Sequence, residues 1–105
     1  MAPSKKAVSC PAEITLKIIG GRWRLMILHE LYSGLTRFGD LHRSLKGISQ
    51  KILVQHLREL EKERVISRKV YPQVPPKVEY SLTDKGKALR PIIDAMEQWG
   101  VKHLK

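Results

Sequence analysis

The order of periodic segments predicts an α+β fold that is mostly α. Three observations carry it. Apolar residues recur at helical spacing through the first part of the chain. Two alternating runs follow, "RVISRKVY" and "KVEYSL", separated by the stiff turn "PQVPP". A last apolar stripe at helical spacing closes the sequence. An isolated hairpin is marginal in water, so this one is expected to pack on the helices. Two short helices joined by a tight glycine turn and then a hairpin make a winged helix-turn-helix with a two-stranded wing.

The elements follow in order. Residues 1–9, "MAPSKKAVS", read as a flexible basic arm, and residues 10–105 as a single domain. Pro11 suits a first helical position, which makes Cys10 the cap and Glu13 the third helical residue. Ala12, Leu16 and Ile19 then share a face, and Gly20-Gly21 stops the helix. From Arg22 to Tyr32 apolar residues surround the helix almost completely, as expected of a buried central helix ended by Ser33-Gly34. "LTRF" reads as a stub of strand. "GDLHRSLK" reads as a brief helix that begins at Gly39, faces Leu41 and Leu45 inward, and breaks at Gly47. Ser49 caps a helix to about Lys62. Val65 to Tyr71 alternates as a strand, and Val78, Tyr80 and Leu82 share one side of the next. Thr83 caps a last helix with Leu89, Ile92, Met96 and Trp99 at spacings of three and four. Pro91 removes a backbone bond there, so the segment either kinks or divides into two helices.

With 105 residues the chain suits one modest core. It carries 20 Lys plus Arg against 10 Asp plus Glu, a net charge of +10, and 42% hydrophobic residues. So large an excess of positive charge points to a polyanion such as DNA, RNA or an acidic membrane. No run approaches the ~20 apolar residues of a membrane span, so the membrane loses ground. The N-terminal lysines lack a following apolar run, so no signal peptide is expected. Cys10 is the only cysteine. That excludes an intramolecular disulfide and a single-chain thiolate zinc cage, and makes a reducing cytoplasm the expected location.

The helix that begins after Ser49 has two opposed faces. At about 100° per residue, Leu53, His56, Leu57 and Leu60 cluster on one side. Lys51, Gln55, Arg58 and Lys62 cluster opposite, within about 60°. Ile52 fits neither side. The leucine side belongs to the core, and the other suits a major groove, whose base edges are read by Gln and Arg. Gln50 and Lys51 stand at the helix start, where such helices meet bases. Exposed Lys and Gln can equally be a plain solvated face. The hairpin favours the groove, because Arg68, Lys69 and Lys77 on its flanks are suited to phosphates, and three prolines stiffen its tip. His29, His42, His56 and His103 are scattered, with no metal-ligand spacing, phosphate loop or nucleophile set, so neither an enzyme nor a bound cofactor is expected.

From Cys10 to Trp99 the chain resembles the HxlR family of bacterial transcription regulators, relatives of MarR. The pieces that carry the resemblance are "GGRW", "GISQKILVQHLREL" and above all "YPQVPPKVEYSLT". The resemblance implies a homodimer on double-stranded DNA, bound at an inverted-repeat operator usually near its own gene. In this reading the helix from Ser49 to Lys62 lies in the major groove and the wing probes the flanking minor groove. It implies that the first and last helices form the dimer, which makes Leu16, Ile19, Ile92, Met96 and Trp99 interface candidates. It also implies a response to an oxidant, an electrophile or another small molecule. Several relatives use a cysteine just before the first helix, where Cys10 stands. A thiol at a helix N-terminus lies at the positive end of the dipole, which favours thiolate chemistry, while Glu13 one turn away opposes it, and an inert cysteine at a simple cap position is the alternative. With one cysteine per chain, oxidation leads only to mixed disulfides, sulfur acids or an intersubunit bridge. Arg64 stands where the family usually has Gly before the first wing strand, and Gly39 replaces a common Ser cap on the short helix. The alternative to operator reading is an interaction module that binds nucleic acid or protein without sequence preference.

Overall fold

Pro11 opens the first helix with Cys10 as its cap, in a computed structural model that describes residues 10–104. The expected basic arm lies outside the described residues. The elements are α1 (Pro11–Ile19), α2 (Arg22–Tyr32), α3 (Phe38–Ser44) and α4 (Gln50–Lys62), then β1 (Ile66–Tyr71), β2 (Lys77–Leu82), α5 (Asp84–Ala88) and α6 (Arg90–His103). The two strands pair antiparallel, from Ile66 opposite Leu82 to Tyr71 opposite Lys77. The "LTRF" stub contributes a single bridge, Arg37 to Glu79, and the Tyr80 N–H donates to the Thr36 carbonyl at 2.9 Å. That bridge ties the wing back to the segment before α3.

One core lies under these elements. Leu28 of α2, Leu41 of α3, Leu53 and Leu60 of α4, and Val65 are wholly shielded from solvent. Each fully buried side chain of this size contributes roughly 1.5–3 kcal/mol. Ile52 packs against this same core. The turn between α3 and α4 bends through Gly47 at φ 94°, a left-handed conformation that suits glycine. His42 Nε2, 3.2 Å from the Ile48 carbonyl, spans that turn.

Arg24 joins three helices. Its guanidinium donates to the Lys17 and Ile18 carbonyls at 3.2 and 3.3 Å, satisfying orphan acceptors at the end of α1. It also donates to His56 Nδ1 at 3.3 Å and pairs with Glu59, both on α4. A cation that looks like an interruption of an apolar run is therefore a structural clamp.

Two expectations are corrected, for Ile19 and Gly39, and one open alternative is decided, at Pro91. Ile19 is only 3% exposed and packs in the core beside Ile18, whereas Leu16 is exposed. Only the last turn of α1 reaches the body of the domain, so Ile19 offers no surface to another chain. The short helix begins at Phe38 with Arg37 as cap, and Gly39 is inside its first turn. The bridge at Arg37 ends the extended segment there. The last helical segment is divided, with Leu89 closing α5 and opening α6. Pro91 has no N–H to offer the carbonyl four residues back, and Leu89 turns into the core.

α5 is pinned against the wing's entry. Thr83 Oγ1 accepts from the Gly86 N–H at 3.1 Å and donates to the Arg64 carbonyl at 2.6 Å. The Tyr32 hydroxyl donates to the Gly86 carbonyl at 2.7 Å. A Cβ added at Gly86 would lie 2.1 Å from the Val65 carbonyl oxygen, so this crossing admits only glycine.

Candidate nucleic-acid interface

Ser49 sets the start of α4. Its side chain accepts from the Ile52 N–H at 3.1 Å, a cap that stabilises a helix by about 1 kcal/mol. From there Leu53, Leu57 and Leu60 point into the core, and all are at most 1% exposed. Their burial fixes the rotation of the helix. Gln50, Lys51, Gln55, Arg58 and Lys62 are consequently exposed.

Two hollows run over this surface. The first lies on α4 itself, bordered by Gln50, Lys51, Val54, Gln55, Arg58 and Glu59. The second, of about 550 Å³, lies between α4, the start of α3 and the wing, and Arg37, Arg58, Arg68 and Lys77 bring positive charge to it. Val54 and Arg58 border both, so the exposed face of α4 continues into the wing. Lys62 and Lys69 are exposed but border neither hollow.

The charges in the second hollow are unequally available. Lys77 is half-buried, 3.6 Å from Glu79, with its ammonium 4.3 Å from the centre of the Tyr71 ring. Glu79 also faces Arg37 at 3.9 Å. Arg68, opposite Tyr80 in the register, sets its positive charge beside the Tyr80 phenol. Burial raises the Tyr80 phenol above its ordinary value, while the nearby Arg68 and Arg58 pull it back. Lys69 faces Glu79 across the ladder and lies 4.8 Å from the Tyr71 ring.

Behind α4, the His56 imidazole is held below its ordinary value, first by burial and then by the Arg24 charge, with Glu59 opposing. It is an edge histidine on the structural side of the helix. Cys10 is exposed at the α1 cap, and its side chain makes no capping hydrogen bond.

Sequence reasoning missed Val54 and Arg37. The helical wheel puts Val54 beside Lys51, Gln55 and Arg58, but an apolar residue invites a core assignment. Arg37 precedes α3 in a stub whose pairing with the wing has no local signature.

A capped, half-buried helix, a tight turn before it and a packed two-stranded wing after it define a winged helix-turn-helix. The HxlR-like helix-turn-helix family matches residues 18–105, and the chain belongs to that family. It is a helix-turn-helix transcriptional regulator, not an enzyme. It is 50% identical over 94 residues to the HTH-type transcriptional regulator YdeP of Bacillus subtilis, covering 90% of this chain and 73% of YdeP. The redox regulator HypR in its reduced form superposes with a TM-score of 0.84 at 44% identity, covering 89% of this chain and 92% of HypR. The reduced form of the transcriptional regulator YodB from B. subtilis gives 0.81 at 36% identity, covering 93% of this chain and 97% of YodB. No helix among the described residues is long and apolar enough to cross a membrane.

Proposed function

We propose that the protein is a homodimer that binds an inverted-repeat operator in double-stranded DNA, with one α4 in each of two successive major grooves. The carrying observation is the exposed polar face of α4, opposed to a sealed leucine face and continuous with the wing. Gln50, Lys51, Gln55 and Arg58 meet base edges, Gln toward adenine and Arg toward guanine. Arg68, Lys69 and Lys77, with Ser49 and Lys62 at the ends of α4, meet the sugar-phosphate backbone. Because Glu79 lies against Lys77 and opposite Lys69, Arg68 carries more of the wing's salt dependence.

The dimer is built on α1 and α6. Their exposed apolar side chains, Leu16, Ile92, Met96 and Trp99, form the kind of surface that a second subunit covers. Cys10 is the switch. HypR is a redox regulator, and an exposed thiol at the start of a dimerisation helix gives oxidants or electrophiles direct access to that interface. The protein works in the cytoplasm, where its DNA and a reducing poise are found.

Selection from a random DNA pool, with reduced protein at moderate salt, tests this reading. It should enrich an inverted repeat with half-sites about one helical turn apart. A pool that binds without enriching would indicate charge-driven attachment and the interaction-module alternative. Diamide should change affinity for the enriched operator in the native protein and not in Cys10→Ser. An equal response in both would remove Cys10 from the switch.

A further inference from the structure

We propose that Val54 reads a thymine methyl group in the major groove; the inference rests on α4 as the recognition helix and assigns it a specificity residue. Of the six side chains around the hollow on α4, Val54 alone is apolar. It is half-buried. Yet it belongs neither to the core nor to the half-buried residues packed against it, a group that does include Ile52 two positions earlier. Val54 is thus an apolar group with no apolar core partner, at the boundary of both hollows.

The neighbours define what can cover it. Gln50 is one turn before and Arg58 one turn after, so Val54 lies between two groups that hydrogen-bond base edges. When those groups approach bases, Val54 meets the groove floor in the same plane of contact. The major groove offers one apolar feature among its donors and acceptors, the C5 methyl of thymine. A branched aliphatic side chain gains by removing that methyl from water and gains nothing from a bare cytosine edge. A base pair between those read by Gln50 and Arg58 is therefore specified as thymine on one strand.

The test uses the full-length protein and the operator enriched from the random pool. Each thymine is replaced singly by deoxyuridine, which lacks only the methyl. One position in each half-site should weaken native binding about fourfold, the value of one methyl transfer of ~0.8 kcal/mol. Val54→Ala should lose about the same factor on the unmodified operator and be indifferent to deoxyuridine at that position, with its thermal midpoint near that of the native protein. Three results would overturn the proposal while leaving operator reading intact. One is an enriched operator whose thymines all tolerate deoxyuridine. Another is a Val54→Ala protein as sensitive to the replacement as the native one. The third is a Val54→Ala protein that loses affinity for every sequence alike, which would make the residue a support for the wing. A pool that never enriches would remove the parent reading and this one together.

Discussion

α4 and α6 are both amphipathic helices of similar length, thirteen and fourteen residues, yet they meet the rest of the chain in opposite ways. α4 buries its leucines completely and turns polar groups outward. α6 has no buried residue, and Ile92, Met96 and Trp99 are 44%, 44% and 66% exposed. The apolar side of α4 is satisfied within one subunit, so its orientation is a property of the monomer. Apart from Ile93, which packs against the core, the apolar side of α6 is left open, and in the proposed dimer a second subunit covers it. Under the proposed function, the contrast amounts to a division of labour. A reading helix needs a rigid seat, because a small rotation would misplace every base contact, whereas an assembly helix needs a surface that only another chain seals.

The contrast can be broken most severely at the seat of α4. Leu57→Ala should cost about 2–5 kcal/mol of stability in urea unfolding, the usual loss for a buried leucine. A loss below about 1 kcal/mol would mean that the helix is less firmly seated than its burial indicates. Trp99→Ala should act on assembly, raising the dimer dissociation constant about thirtyfold for a hot-spot loss of about 2 kcal/mol. Sedimentation equilibrium reads this directly, and an unchanged constant would place the interface elsewhere. Arg64→Gly sharpens the account at the end of α4. Arg64 has φ 63°, and the Val65 and Arg64 N–H groups bond the Leu60 and Glu61 carbonyls in a Schellman arrangement. Glycine relieves roughly 1 kcal/mol of strain but frees the unfolded chain, so a net gain of less than about 1 kcal/mol is expected. A net loss would show that the Arg64 side chain contributes to the hinge.

The smallest effect is at His56. Its folded value is lowered from 6.5, so between that folded value and 6.5 the unfolded chain holds more protons than the native one. Stability from this group is therefore complete above the ordinary histidine value and is lost as pH falls through it. The urea midpoint should drop on acidification below about pH 6.5, and His56→Asn should flatten that slope. An identical slope in the variant would assign the acid sensitivity to other groups.

Much of this was legible in the residues. Ser49 with the leucines at 53, 57 and 60 announces a capped helix and its buried side, because caps and periodicity act within a few positions of the chain. The alternating strands around "PQVPP" are local in the same sense, and so is the Pro91 break, for which the residues left two outcomes open. The proposed reading surface was partly legible. The wheel brought Lys51, Gln55 and Arg58 together but could not show that Val54 lacks a core partner.

By itself, then, the sequence determined the kind and order of the elements and the two-sidedness of α4, since backbone propensity and spacing are short-range. Tertiary structure alone decided the rest, which depends on segments far apart in the chain. Ile19 went to the core because only the last turn of α1 touches the body. Arg24 became a clamp because the end of α1 and the side of α4 both present acceptors to it. Gly86 became indispensable because α5 crosses the Val65 carbonyl at contact distance. Lys77 lost part of its free charge because the ladder and the wing's own fold set it against Glu79 and Tyr71.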